Sequence, residues 1–231
     1  MNIHEYIYTK HQLNQHMLAV LLDPEHPIPF HAGELDAADL ILVGGSTGGI
    51  SPDFIGQIRT LTHRPVVLFP GNPQQFTPQA DALLFLSVLS SQDSDLLIGQ
   101  QIAAADTIHN SGIETLPMGY ILIDGGKETS VVRESHSAPI PQSDLTRIVH
   151  TALAGQMMGK QLIYLEAGSG AKTPVSIDII QAVRSVLSIP LIVGGGITTP
   201  QAMKAAFRAG ADIVVIGNHF EHHPEQLHLF C

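Results

Sequence analysis

Leu191-Ile192-Val193-Gly194-Gly195-Gly196-Ile197-Thr198-Thr199-Pro200 opens the stretch that decides the fold. A helix-favouring run follows, closing on Ala209-Gly210, and then comes Ile213-Val214-Val215-Ile216-Gly217-Asn218. Two short apolar runs flank a segment with Pro in its first turn and Gly past its last, the usual boundary residues of a helix. Strand, glycine turn, helix and strand make a βαβ unit. Neither run alternates with polar residues, so both strands are expected to be buried on both faces, as in a parallel sheet.

The same pattern extends outward to the whole chain. It predicts strands over 17–22, 40–43, 66–69, 82–86, 118–123, 162–165, 191–193 and 213–216, with helices over 52–61, 94–110, 143–158, 176–187 and 200–209. Eight strands alternating with helices in 231 residues fit one closed α/β domain, a (β/α)₈ TIM barrel, better than an open sheet. Residues 70–78 (Pro-Gly-Asn-Pro-Gln-Gln-Phe-Thr-Pro) hold too much proline for a helix, so the third βα segment is expected to be modified, with an irregular loop near the barrel mouth. Residues 125–141 read as a long polar loop.

Composition narrows the function. Lys and Arg number 11 against 21 Asp and Glu, a net charge of −10 that argues against a nucleic-acid partner, since counterion release needs a basic surface. Phosphate ligands remain open, because backbone N–H groups at helix N-termini bind anions with few cationic side chains. The start of the chain lacks the basic patch and apolar run of a signal peptide, and no apolar run of about 18 residues occurs. The lone cysteine, Cys231, forms no internal disulfide. These features predict a cytoplasmic protein without a membrane span.

Chemistry in such a barrel sits where strands end. Tyr164-Leu165-Glu166-Ala167-Gly168-Ser169-Gly170-Ala171 follows the sixth strand, Gly194-Gly195-Gly196 the seventh and Gly217-Asn218 the eighth. One glycine-rich turn is explained by tight geometry alone; three at the same end of the barrel favour a phosphate site, with the helix at Thr199-Pro200 aimed at it. Asp23 ends the first strand and Ser46 follows the second. A carboxylate and a hydroxyl, completed by water and substrate phosphates, suit Mg²⁺. An Asx turn at Asp23 and a helix cap at Ser46 explain the same residues equally well.

Taken together, Leu22-Asp23-Pro24-Glu25, Val43-Gly44-Gly45-Ser46, Phe69-Pro70-Gly71-Asn72, the Tyr164 to Ala171 loop, Gly194-Gly195-Gly196-Ile197 and Gly217-Asn218 resemble the geranylgeranylglyceryl phosphate synthase family, which includes bacterial heptaprenylglyceryl phosphate synthases. The motifs run in family order over nearly the whole chain. The resemblance implies prenyl transfer from a prenyl diphosphate, geranylgeranyl by default, to the C3 hydroxyl of sn-glycerol 1-phosphate, giving an ether lipid precursor. It places Mg²⁺ on Asp23 and Ser46. It places glycerol 1-phosphate on Tyr164, Leu165, Glu166, Ala167, Gly168, Ser169, Gly170, Gly194, Gly195, Gly217 and Asn218. Glu166 is the candidate base and Tyr164 its orienting partner; the alternative is that Glu166 only hydrogen-bonds the glycerol hydroxyls. A homo-oligomer and a transient contact with membrane surface are also implied.

Three departures stand out. Leu21 occupies a position where some family members carry Lys, Glu25 stands where Asp or Asn is common, and the chain ends soon after the eighth strand, so the closing helix is expected to be short or missing. Leu84, Phe85, Leu86, Met118, Tyr120 and Leu122 could line a prenyl trough, although barrel core explains most of them. His219, His222 and His223 could bind a transition metal, but in a chain with 13 histidines a solvated cluster is the plainer reading. Lys127 could touch diphosphate, or belong to a polar turn. The rival functions are another phosphate-handling barrel enzyme, such as a sugar-phosphate isomerase or thiamin-phosphate-type synthase, and a non-catalytic phosphate-binding barrel.

Overall fold

The apolar runs form strands β1 (Met17–Leu22), β2 (Leu40–Val43), β3 (Val66–Leu68), β4 (Ala82–Val88), β5 (Glu114–Leu122), β6 (Leu162–Glu166), β7 (Leu191–Gly194) and β8 (Ile213–Ile216). In the computed structural model they pair in parallel in chain order, and β8 closes onto β1. This is the closed α/β TIM barrel that the sequence predicts. The structure describes residues 2–45, 48–126 and 138–230; Ser46, Lys127, most of 125–141 and Cys231 lie outside them.

Alternation within each strand divides the core in two. Ala19, Leu42, Val67, Leu84, Met118, Tyr120, Leu122, Tyr164, Ile192 and Val215 fill the barrel interior. Their neighbours, among them Val20, Ile41, Leu68, Ile163, Leu165 and Val193, pack outward against the helices. Both faces are therefore dry, which is why the strands read as continuous apolar runs. Helices α1 (Ile3–Gln12), α2 (Pro52–Leu61), α3 (Gln100–Ser111), α4 (Leu145–Met157), α5 (Ile177–Arg184), α6 (Pro200–Ala209) and α7 (Asn218–His222) surround this barrel. No helix separates β3 from β4, as the prolines of 70–78 require.

Two elements depart from expectation. Helix α1 was not legible as a helix, yet Ile3 and Ile7, four residues apart, are buried at 1% and 2% exposure in the interior cluster. Its N-terminus is held from afar: the Glu114 carboxylate accepts the Ile3 and His4 N–H groups, both at 2.7 Å. The expected helix over 94–110 begins instead with a π turn, Asp95–Gly99, in which the Gln100 N–H reaches back to the Asp95 carbonyl. Side-chain bonds precede it, Ser91 Oγ from Asp93 N–H at 3.0 Å and Asp93 Oδ1 from Asp95 N–H at 2.9 Å. Such local bonds compete with a regular helical start.

Three of the acidic residues work at the strand starts. Asp39, Asp81 and Asp212 each precede a strand and accept an N–H from the start of the strand before it: Leu18 at 2.9 Å, Val66 at 2.7 Å and Leu191 at 2.7 Å. Asp212 also meets His11 Nδ1 at 2.6 Å and Arg184 at 3.1 Å, tying α1 and α5 to the barrel. The chain closes as expected on a short helix, α7, and then a 3₁₀ segment, Pro224–Phe230, anchored by Phe220 against Phe230 with ring centroids 5.0 Å apart.

Candidate active site

Tyr164 and Glu166 sit two residues apart on β6 and share its inward face. Glu166 is 7% exposed at the strand's end. Its Oε1 accepts the Gly168 N–H at 2.5 Å, and the Tyr164 hydroxyl also donates to its carboxylate. Burial raises the Glu166 carboxyl above the ordinary range, while the bonds from Tyr164 and Gly168 pull it back down. Burial and the nearby Glu166 charge push the Tyr164 phenol well up, so it stays a donor. A buried, hydrogen-bonded carboxylate raised toward neutrality is suited to take a proton from an alcohol.

Leu165 and Ala167 point the other way. Both side chains lie in the outer core, so Leu165, which the resemblance includes among the binding residues, brings no side chain to this pocket. The loop beyond turns on Gly168 at φ +97 and Gly170 at φ +65 and leaves Ser169 exposed. Gly195 of the neighbouring loop, at φ +83, approaches so closely that a Cβ there would stand 2.5 Å from Glu166 Oε1 and 2.6 Å from the Gly168 nitrogen. A Cβ on Gly196 would press on the Ala171 carbonyl at 3.0 Å. Helix α6 starts behind this loop, with Thr199 Oγ1 accepting the Ala202 N–H at 3.2 Å. Gly217 lies beside Leu21 at the end of β1, and Asn218 stands exposed at the rim. Glu166, Gly168, Gly194 and Gly195 thus come into close approach at the C-terminal ends of β6 and β7.

A second cluster lies at the ends of β1, β2 and β3. Asp23 Oδ1 accepts the Glu25 N–H at 2.9 Å, which is the Asx turn weighed above. A Cβ on Gly45 would stand 2.7 Å from the same oxygen, so the glycine clears space around the carboxylate. Gly71 and Gly45 also meet, and the fully buried Gln75 side chain accepts the Gly71 N–H at 2.8 Å and the Gly45 N–H at 3.5 Å. Ser51 caps α2, accepting the Phe54 N–H at 3.1 Å. Ser46 itself, the second residue expected at the metal, lies outside the described residues. A hard carboxylate oxygen with open space beside it fits a magnesium ion that takes its remaining ligands from water and phosphate.

Aromatic rings lie between the two clusters. Tyr164 stacks on Phe69 with centroids 5.3 Å apart and meets Tyr120 edge-on at 5.4 Å. Leu21, Phe69, Leu86 and Leu96 are partly exposed on the interior cluster and give the mouth an apolar lining. Of the trough candidates, Leu84, Leu86, Met118, Tyr120 and Leu122 face inward; Phe85 packs against the outer core. Leu96 and Gln75 were not singled out from the sequence, and Phe69 entered only as the first residue of the Phe69-Pro70-Gly71-Asn72 motif, with no role of its own. Leu96 lies in the unforeseen π turn, and Gln75 has only its polar type within a proline-rich loop.

The terminal histidines have local partners: His222 Nδ1 bonds to the Asn218 carbonyl at 2.8 Å, and His219 Nε2 to Gln226 at 3.1 Å. Among the described residues no three His, Cys, Asp or Glu side chains come together as a metal-holding group, and no helix is long and apolar enough to cross a membrane.

The PcrB family model matches residues 10–229. A geranylgeranylglyceryl phosphate synthase of Zunongwangia profunda is 46% identical over 217 residues, covering 91% of this chain and 93% of its own. One from Thermococcus kodakarensis is 41% identical over 211 residues, covering 87% of this chain and 83% of its own. The solved (S)-3-O-geranylgeranylglyceryl phosphate synthase of Thermoplasma acidophilum, in complex with its substrate sn-glycerol-1-phosphate, superposes with a TM-score of 0.89 at 34% identity, covering 100% of this chain and 97% of that one. The motifs, the barrel and these full-length matches agree: the chain belongs to the PcrB family, alongside the geranylgeranylglyceryl phosphate synthases of bacteria and archaea.

Proposed function

We propose that this chain transfers a prenyl group from a prenyl diphosphate to the C3 hydroxyl of sn-glycerol 1-phosphate, releasing pyrophosphate. The observation that carries the site assignment is the buried Glu166 carboxylate, held by Tyr164 and Gly168 directly beside Gly195. Backbone N–H groups around Ser169, Gly170, Gly195 and Gly217, with the N-terminus of α6, receive the phosphate of the acceptor. Glu166 takes the proton from the C3 hydroxyl as that oxygen bonds to C1 of the donor and the bond from C1 to diphosphate breaks. Tyr164 keeps the carboxylate oriented, and Asn218 and Ser169 border the acceptor at the rim.

Leu21, Phe69, Leu86 and Leu96 shelter the first isoprene units of the donor. Asp23 and Ser46 would hold Mg²⁺, which when bound neutralises charge on the departing diphosphate. The apolar Leu21 supplies no cationic contact, which leaves that work to the ion. Similarity to geranylgeranylglyceryl phosphate synthases supports geranylgeranyl diphosphate as the donor. A cytoplasmic homo-oligomer that touches membrane briefly completes this reading; the exposed Ile98 in the π turn and Ile102 at the start of α3 support packing against another surface.

The test is transfer of radiolabelled glycerol 1-phosphate into organic solvent with geranylgeranyl diphosphate and Mg²⁺, beside EDTA and Asp23→Asn controls. Label extracted only with metal and intact Asp23 supports the reading. No transfer from any prenyl donor, in folded protein that still binds phosphate, moves the assignment to a phosphate-binding barrel.

A further inference from the structure

The Tyr164 ring is held on several sides. Phe69 lies over one face at 5.3 Å and 26°, Tyr120 meets it at 5.4 Å and 69°, and Gly194 abuts the hydroxyl end. The Phe69 backbone is itself held in place. Its N–H donates to the Val43 carbonyl at 2.7 Å, and its own carbonyl fills the space where a Cβ on Gly44 would lie. Phe69 is half-buried and Tyr164 is 1% exposed, so the outer ring covers the inner one at the mouth.

We propose that Phe69 is a positioning residue, which presses the Tyr164 ring against Tyr120 and so keeps the Tyr164 hydroxyl on the Glu166 carboxylate. Offset and edge-to-face aromatic contacts restrict a ring by more than their buried area alone. A phenol that swings away leaves Glu166 with one donor fewer in a dry pocket. The titratable groups set against Glu166 are the phenols of Tyr164 on β6 and Tyr120 on β5; β7 offers Gly194, and the loop after β6 offers the Gly168 N–H.

This inference rests on the prenyl-transfer reading, so two readouts are taken on the full chain. Phe69→Leu should lower kcat on the order of tenfold while leaving KM for glycerol 1-phosphate within roughly twofold. It should also move the acid limb of kcat/KM to higher pH, because the ionised carboxylate loses a hydrogen bond that favours it. Phe69→Tyr restores the ring and should recover most of the loss. Tyr164→Phe should give the same displacement, and the Phe69→Leu/Tyr164→Phe pair no further one. Phe69→Met, flexible and similar in bulk, serves if the leucine variant does not fold. An unmoved limb, or losses that multiply in the double variant, overturns the clamp. The second readout is titration of the Glu166 carboxyl by ¹³C NMR without substrate. A midpoint displaced by Phe69→Leu in a protein that transfers nothing keeps the clamp and sinks the transfer. Transfer with an unmoved midpoint does the reverse.

Discussion

The Tyr164 hydroxyl lies against the Cα of Gly194, so close that a methyl group on Gly194 would overlap it and would stand 2.9 Å from Glu166 Oε2. Gly194 closes β7 opposite Glu166 in the β6–β7 register. Its lack of a side chain lets the phenol and the carboxylate meet. Gly194→Ala should therefore displace both and lower kcat/KM by about 10²-fold, the scale of a misplacement near 1 Å, with thermal stability reduced far less. Steady-state kinetics and a melting curve on the one variant check this.

Glu166→Gln removes the proton acceptor and keeps the shape. With metal and both substrates saturating, kcat should fall by about 10²–10⁴-fold. In the wild type the acid limb of kcat/KM should lie above the ordinary carboxylate range near about 4, since burial raises this group. A variant that keeps most of its kcat assigns Glu166 to substrate binding alone.

The same carboxyl carries a stability signature. Its raised folded pKa means that the folded state holds the proton more tightly than the unfolded chain does. That contribution is fully present below the unfolded pKa and is lost as pH rises through the folded value. Glu166→Gln cannot ionise, so its stability relative to wild type should rise with pH across that window. Denaturant midpoints at a series of pH values measure the trend.

Asp23→Asn should raise the Mg²⁺ concentration needed for half-maximal activity and weaken metal-dependent diphosphate binding, leaving glycerol 1-phosphate binding nearly unchanged. Asp23 directly follows β1, while the acceptor loops follow β6 and β7. Calorimetric titration of each ligand separates the two; equal loss of both would place Asp23 in a structural role.

Asp212 works at the opposite end of the barrel, with His11, Arg184 and the Leu191 N–H all on one carboxylate that is 13% exposed. Asp212→Ala leaves the Leu191 N–H without its acceptor and takes the charged partner from Arg184, which keeps the Leu187 and Ile189 carbonyls, at a cost of about 2–4 kcal/mol. For a chain of this size that lowers Tm by roughly 5–12 °C. At temperatures where the variant stays folded, kcat should match wild type.

The sequence alone determined the barrel. The bounds of β1, β2, β8, α2 and α6 were readable to the residue, because strands buried on both faces are unbroken apolar runs and the two helices carry Pro at the start. The glycine loops and the β6 motif were legible for the same reason: close backbone approach demands glycine, and glycine is visible in a sequence. Only the tertiary structure decided the rest. Helix α1 depends on Ile3 and Ile7 finding the barrel floor and on Glu114 from more than a hundred residues away. The π turn at Asp95–Gly99 arises from competing side-chain bonds. Strand alternation sends Leu165 outward while Tyr164 and Glu166 point in, and the clamp of Phe69 and Tyr120 on Tyr164 joins three separate strand ends. Local periodicity follows from residue type, whereas such contacts exist only once distant segments have closed the barrel.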